Sequence, residues 1–430
     1  MKGFFSGVVG RDGGGVVATL AVVAACALSA GATPVATDVG LSDEPNEGIV
    51  FSYQLSEEAI VTVEFLTNGV PLDASACTEV GGDVNKVVAA GARRLTWRPD
   101  RTPAARAYAA GELSARLTVW PKTNPPDYLC VDLASSNSVT YYASSNAVPK
   151  GVTDRQYKTT KLLMRRIPAG GVEWRMGPAQ DNDSENNSCS YGHYVKLSDD
   201  YYMAVYELTL RQAWMINDYS TSHFSAKVPD KWVLPMEGVS WQKMRGNKNW
   251  PADGHAVGES CLLQRLRDWC GLELDLPTDA QWEFACRAGT ETTTYWGDDK
   301  DDATVKARVN TGSAHTSPIE VGSYPPNPWG LYDMYGNLGE FCLDYGAWGT
   351  NYKKGAYNEQ PTVAIENPKG PTQGLCNQKV GDACVRVGCG GGYSDATKSA
   401  RSWRKSLTNV HESNDSQYAG WRLVCPLPFK

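Results

Sequence analysis

No pair of cysteines with C-x-x-C spacing occurs in these 430 residues, which removes zinc ribbons and thioredoxin-like redox sites from consideration. There is no G-x-S-x-G, Walker A, H-E-x-x-H or dinucleotide fingerprint, so hydrolase-elbow, P-loop, zincin and Rossmann chemistries have no motif to rest on. Histidine is scarce. The five (His193, His223, His255, His315 and His411) do not pair at metal-ligand spacing and read as surface or satisfied core residues. Basic charge is in deficit: 41 Lys and Arg stand against 48 Asp and Glu, for a net charge of −7. That balance argues against nucleic acid or an anionic membrane as the main partner. Long apolar runs are also lacking. The most apolar stretch, Val16 to Leu28, falls short of the ~20 residues a membrane helix needs, so no transmembrane helix is expected. Phenylalanine (8) is sparse beside tyrosine (21) and tryptophan (14), rings that bury area while keeping a polar edge.

The N-terminus carries targeting features. Lys2 and Arg11 supply positive charge ahead of the apolar run, and "AGA" (Ala30 to Ala32) fits a small-residue cleavage site. Residues 1–32 therefore read as a signal peptide, and the mature protein as exported to the periplasm, the cell surface or the medium. "VAAC" (Val23 to Cys26) also resembles a bacterial lipoprotein box, in which Cys26 would be lipidated. Of the twelve cysteines, eleven remain if Cys26 is removed, an odd number that leaves at least one free thiol.

Residues 45–148 hold short β-rich runs such as "IVFSYQL" and "AIVTVEFLTNGV", parted by Gly, Pro, Asn and Asp, and are expected to form a small all-β sandwich. "ASSNAVPKGVTD" (Ala143 to Asp154) reads as a linker. Beyond it, long loops join few regular elements, a texture that signals function or bound ions. Three helices stand out. Thr209 with Gln212, and Thr278 with Gln281, have capping-box spacing. In "ESCLLQRLRDWCG", Leu262, Leu266 and Trp269 share one face and Gly271 stops the helix. The acidic stretches at Asp181–Ser188 and Asp298–Ala303 lack EF-hand spacing and read as solvated loops, with calcium as the other reading.

From about residue 157 to 430, seven stretches occur in a telling order: "MRRIPAGGVEWRMG", "YYMAVYELTLRQ", "PMEGVSWQKM", "LDLPTDAQWEFACRAGT", "VGSYPPNPWGLYDMYGNLGEFCLD", "RVGCGGGY" and "GWRLV". Through them the chain resembles the formylglycine-generating enzyme (sulfatase-modifying factor) family. The resemblance implies an α+β fold, a large loop-rich variant of the C-type-lectin-like architecture. It also implies calcium, held by the "GNLGE" turn through Gly336, Leu338 and Glu340, with Asn310 a further candidate. The loop that would complete a site at Asn310, "TGSAHTSPIEVG", lacks the expected Asp.

Oxidising members carry two cysteines, with four residues between them, that bind Cu(I). Here "CGGGYSDATKSARSWR" keeps Gly390, Gly391, Tyr393, Trp403 and Arg404 of that frame, yet Asp395 and Ala400 stand where the cysteines belong. Gly392 replaces a serine, and Gly339 and Phe341 replace two tryptophans. A carboxylate and a methyl group cannot make a two-thiolate copper site, so copper is not expected. Cys384 and Cys389, just upstream, have the same spacing and are the substitutes to check. The resemblance thus suggests a non-oxidising scaffold that binds a protein, peptide or glycan. Tyr393, Asp395, Trp403, Arg404 and Asn414 form the candidate ligand surface, in a segment whose Tyr, Ser, Asn and Trp suit a paratope as well as an ordinary loop. The alternative is an oxidase acting on a sulfatase cysteine, or another oxidation on the same scaffold.

Overall fold

Alternating apolar residues along "GIVFSYQL" place Phe51, Tyr53 and Leu55 on one face, buried, while Ser52 and Gln54 are exposed between them. The same logic recurs through the chain, and the fold is mostly sheet with few helices. The computed structural model describes residues 6–8, 19–24, 34–72, 79–101, 113–136, 138–178, 192–219, 222–224, 230–298, 301–312, 315–346, 363–371, 379–380, 383–406 and 415–427. The chain divides into two compact units, one of Met1–Val131, Val139–Tyr157 and Pro428–Lys430, the other of Asp132–Ser138 and Lys158–Leu427.

In the first unit the main strands are β1 (Thr19–Ala24), β2 (Ala36–Glu44), β3 (Gly48–Leu55), β4 (Ala59–Thr67), β5 (Gly91–Trp97) and β6 (Leu113–Trp120). Strands β2, β3 and β5 are antiparallel neighbours in one sheet. In a second sheet β6 pairs antiparallel with β4, with Leu117 opposite Val63. Phe51, Leu55, Val61, Phe65, Leu95, Trp97, Leu117 and Val119 from both sheets share one buried cluster, and the Phe65 and Trp97 rings stack at 3.8 Å. Strand β2 begins at Ala36, so the first sheet starts ahead of residue 45. The apolar run read as a leader supplies β1, which lies parallel to β6 with Thr19 opposite Ser114. A Val-rich run of this kind suits an extended strand as readily as a leader. Cys26 and the Ala30–Ala32 stretch lie outside the described residues. In the stretch read as a linker, Ala147 and Val148 are buried and Ser145–Ala147 forms a single 3₁₀ turn.

The second unit contains β7 (Lys161–Ile167), β8 (Tyr201–Ala204), α1 (Leu210–Asn217), α2 (Trp241–Arg245), α3 (Leu262–Cys270), α4 (Asp279–Arg287), α5 (Asp302–Lys306), β9 (Gly339–Tyr345), β10 (Arg386–Cys389), β11 (Lys405–Ser406), β12 (Ala419–Gly420) and β13 (Val424–Pro426). Strand β8 pairs antiparallel with β7 and β13. A four-stranded sheet, ordered β11-β10-β9-β12, carries the motif turns at its strand ends. Both capping boxes form: Thr209 and Gln212 close the start of α1, Thr278 and Gln281 that of α4. Helix α3 begins on the Cys261 thiol and ends at Gly271 in the left-handed region (φ 72°). Its buried face is Leu262, Leu263, Leu266 and Cys270. Trp269 sits at the margin, 36% exposed, where its ring N–H donates to the Asp132 carbonyl (3.0 Å). No helix among the described residues is long and apolar enough to cross a membrane.

Candidate functional site

Strand β10 runs out of the sheet into three consecutive glycines. Gly390 and Gly391 both have positive φ (84° and 71°), and a Cβ on Gly390 would meet the Trp282 ring at 3.1 Å and the Met334 carbonyl at 3.2 Å. The turn is closed by Asp395, whose Oδ2 accepts from the Gly392 N–H (3.2 Å). The Asp395 carbonyl accepts from the Thr311 hydroxyl (2.9 Å) and the Gly312 N–H (2.6 Å). Ala400 is buried just after the short 3₁₀ turn Thr397–Ser399. The two positions where the family resemblance expects cysteines thus hold a turn-closing carboxylate and a buried methyl group. Trp403 is also buried, beneath the Arg287 guanidinium at 5.4 Å from its ring centre, and Arg404 is half-buried. Asn414 lies outside the described residues. Cys389 is buried on β10 with its Sγ 3.5 Å from that of Cys342. The backbone of Cys384 pairs with Lys379 in a separate two-stranded piece, and its side chain is outside what is described.

The "GNLGE" turn is bound tightly to the neighbouring Asn310. The Asn337 N–H donates to the Asn310 carbonyl (3.0 Å), and Asn310 Nδ2 donates to Asn337 Oδ1 (3.1 Å). A Cβ on Gly336 would lie 2.4 Å from the Asn310 oxygen, so only glycine fits there. Glu207 binds the turn from below, accepting from Asn337 Nδ2 (2.6 Å) and the Leu338 N–H (3.1 Å). Glu340 is buried and committed elsewhere. Its two oxygens take the Arg422 guanidinium (2.6 to 3.0 Å), and Oε2 also takes the Trp282 ring N–H (2.6 Å). Calcium would have to displace a charge-assisted, two-oxygen arginine pair, so the Glu340 carboxylate does not fit a calcium ligand as the side chains stand. Asn310 Oδ1 is a buried oxygen without a hydrogen-bond partner. Burial pushes Glu207 well above the usual carboxylate range, reinforced by the charges of Asp333 and Glu340. Burial likewise raises Asp333 to about 6.

Beside the glycine turn lies an aromatic rim. Tyr393 packs with Phe224, Leu234 and Leu338 in one buried cluster, and the Phe224 ring meets it edge-on at 5.5 Å. Tyr418, 38% exposed, lies nearly parallel to Tyr393 at 6.2 Å. His223 is anchored by buried Glu237, which accepts from its main-chain N–H (2.6 Å) and meets Nδ1 (2.7 Å), leaving about half the ring exposed. Next to them Lys243 pairs with Asp415 (2.6 Å) and lies over the Tyr219 ring. Gly339 and Gly392 face this region, and neither is a glycine by steric necessity. A Cβ on either would find nothing nearer than 3.5 Å, its closest neighbours being main-chain atoms that include the Tyr418 carbonyl of both. Sequence reasoning named Tyr393 but missed Tyr418, His223, Glu237 and the Lys243–Asp415 pair. These come together from segments far apart in the chain, and no local spacing announces them.

A model of the sulfatase-modifying factor enzyme 1-like domain matches residues 150–427. The chain belongs to that family. This sulfatase-modifying-factor domain is 27% identical over 202 residues to the formylglycine-generating enzyme of Mus musculus, covering 41% of this chain and 50% of the mouse protein. It is 30% identical over 183 residues to that of Streptomyces coelicolor, covering 38% and 50%. It is also 31% identical over 179 residues to the serine/threonine-protein kinase pkn1 of Chlamydia pneumoniae, covering 42% of this chain and 23% of that protein. The chain thus spans half or less of the length of these curated relatives. Among solved structures, Treponema denticola variable protein 1 is similar at a TM-score of 0.47 and 20% identity, over 62% of this chain and 95% of that one.

Proposed function

We propose that this sulfatase-modifying-factor domain is a non-oxidising binding module, exported and built on a lectin-like scaffold that follows a small β-sandwich in the sequence. One observation carries the reading. Where the resemblance expects the copper-binding cysteines, this chain has Asp395, which closes the turn, and Ala400, which is buried. Neither offers the soft sulfur that Cu(I) requires. The rim of Tyr418, Tyr393, Phe224 and half-exposed His223 supports a binding role. Exposed Tyr418 and His223 stand at its surface, backed by buried Tyr393 and Phe224, and this pairing of an aromatic face with a few polar groups suits peptide or glycan recognition.

The test is direct. Purified protein loaded with Cu(I) is incubated with a peptide carrying a Cys-x-Pro-x-Arg core, and cysteine-to-formylglycine conversion is followed by mass spectrometry. No conversion is expected, and turnover would sink the reading. In parallel, wild-type protein and Tyr418→Ala are compared on peptide and glycan arrays. Signals that vanish in the variant locate binding at the rim. Signals that persist unchanged place binding elsewhere.

A further inference from the structure

Cys342 lies on β9 and Cys389 ends β10, antiparallel neighbours in which Glu340 faces Cys389. The two sulfurs are 3.5 Å apart, and both residues are buried (0% and 1% exposed). Cys342 and Glu340 are two residues apart on one strand, so their side chains share a face of the sheet, and Cys342 meets Cys389 diagonally. The rest of the setting is polar. Asp279 Oδ1 is 3.5 Å from the Cys389 sulfur, and its other oxygen pairs with Lys405, which stands opposite Cys389 on β11. Among the described residues no cluster of three His, Cys, Asp or Glu is suited to a metal. Two sulfurs already in van der Waals contact, on paired strands and out of solvent, have about 1.5 Å to close to reach bonding distance, with the register shift in β9 as the place where the backbone can adjust.

We propose that Cys342 and Cys389 form a disulfide in the oxidised protein. The inference goes beyond the binding reading and does not depend on it. In its formation each thiol gives up its proton, and the pair gives up two electrons to a disulfide-class oxidant such as oxidised glutathione. One sulfur attacks the oxidant, releasing one thiol. The second displaces the other, leaving the protein disulfide and two oxidant thiols. Both sulfurs are sealed once the sheet has formed, so the exchange belongs to folding rather than to the finished molecule. The bond closes a long loop, its ends 47 positions apart in the chain. It ties the strand that follows the "GNLGE" turn to the strand that enters the Gly390–Gly392 turn, so both motif turns are anchored at their base.

The full chain is refolded with a glutathione redox pair, alkylated under denaturing conditions without reductant, digested and mapped by mass spectrometry. The expected product is a cross-linked pair of peptides containing Cys342 and Cys389, lost on reduction. Full alkylation of both cysteines, or linkage of either to a different cysteine, overturns the proposal. A second measurement compares Tm with and without reductant. Reduction should lower the wild-type Tm by on the order of 10 °C, and Cys342→Ala/Cys389→Ala should lose most of that sensitivity. An equal drop in both proteins would show that this bond does not anchor the sheet.

Discussion

Asp344 takes the Asp279 N–H on one carboxyl oxygen (2.7 Å), while its other oxygen is buried without a partner. Burial, with the Asp279 charge beside it, lifts this carboxyl to about 7. An unfolded aspartate releases its proton near pH 4. Between those two values the folded chain binds more protons than the unfolded one, so stability falls as pH rises through that window, and the full cost stands above about pH 7. Asp344→Asn removes the titration, keeps an acceptor for the Asp279 N–H, and should be more stable than wild type at pH 8 but not at pH 4. Urea denaturation at both values reads this, and an equal difference at the two would contradict it. Arg422 acts in the opposite sense. It is the cation that Glu340 binds directly, close to buried Glu207 and Asp333, so Arg422→Met strands buried negative charge. A loss of about 3–5 kcal/mol is expected in chemical denaturation, and a loss below about 1 kcal/mol would mean that the acids simply take up protons.

At the scale of elements, helix α4 links local sequence to the site. Thr278 and Gln281 cap it reciprocally, Trp282 reaches from it to Glu340, and Arg287 covers Trp403 from its last turn. Thr278→Ala should cost about 1 kcal/mol, and because Trp282 rides on the same helix, its indole fluorescence should shift with the loss. An unchanged midpoint would show that tertiary packing alone holds the helix start. Both capping boxes were legible because their chemistry is local: a hydroxyl and an amide three residues apart satisfy each other. The start of α3 was not, since a thiol, Cys261, does the work a hydroxyl usually does. Trp269 was misplaced on the buried face, because helical periodicity gives a direction and not the depth of the neighbouring layer. Asp298 and Asp301, read as solvated, are exposed and also serve as local acceptors, Asp298 for Thr293 and Asp301 for the first N–H groups of α5.

For the molecule as a whole, the question is what holds a loop-rich domain together. Direct hydrogen bonds join the Asn310 and "GNLGE" turns, and arginine balances the buried acids. We expect the Tm in EGTA to match the Tm in millimolar calcium. A calcium-dependent rise would return Glu340 and Asn310 to the roles the family resemblance gave them, with Arg422 displaced.

The sequence by itself determined the family, through an ordered series of motifs. It also determined the strand-rich texture and the capped starts of α1 and α4, since each is written in residue identity or short spacing. Only the tertiary structure decided that Glu340 faces Arg422, that Cys389 meets Cys342, and that Tyr418 and His223 stand beside Tyr393. Those juxtapositions join segments separated by tens to hundreds of residues. They depend on the depth and register at which sheets and loops pack, quantities that no local pattern encodes.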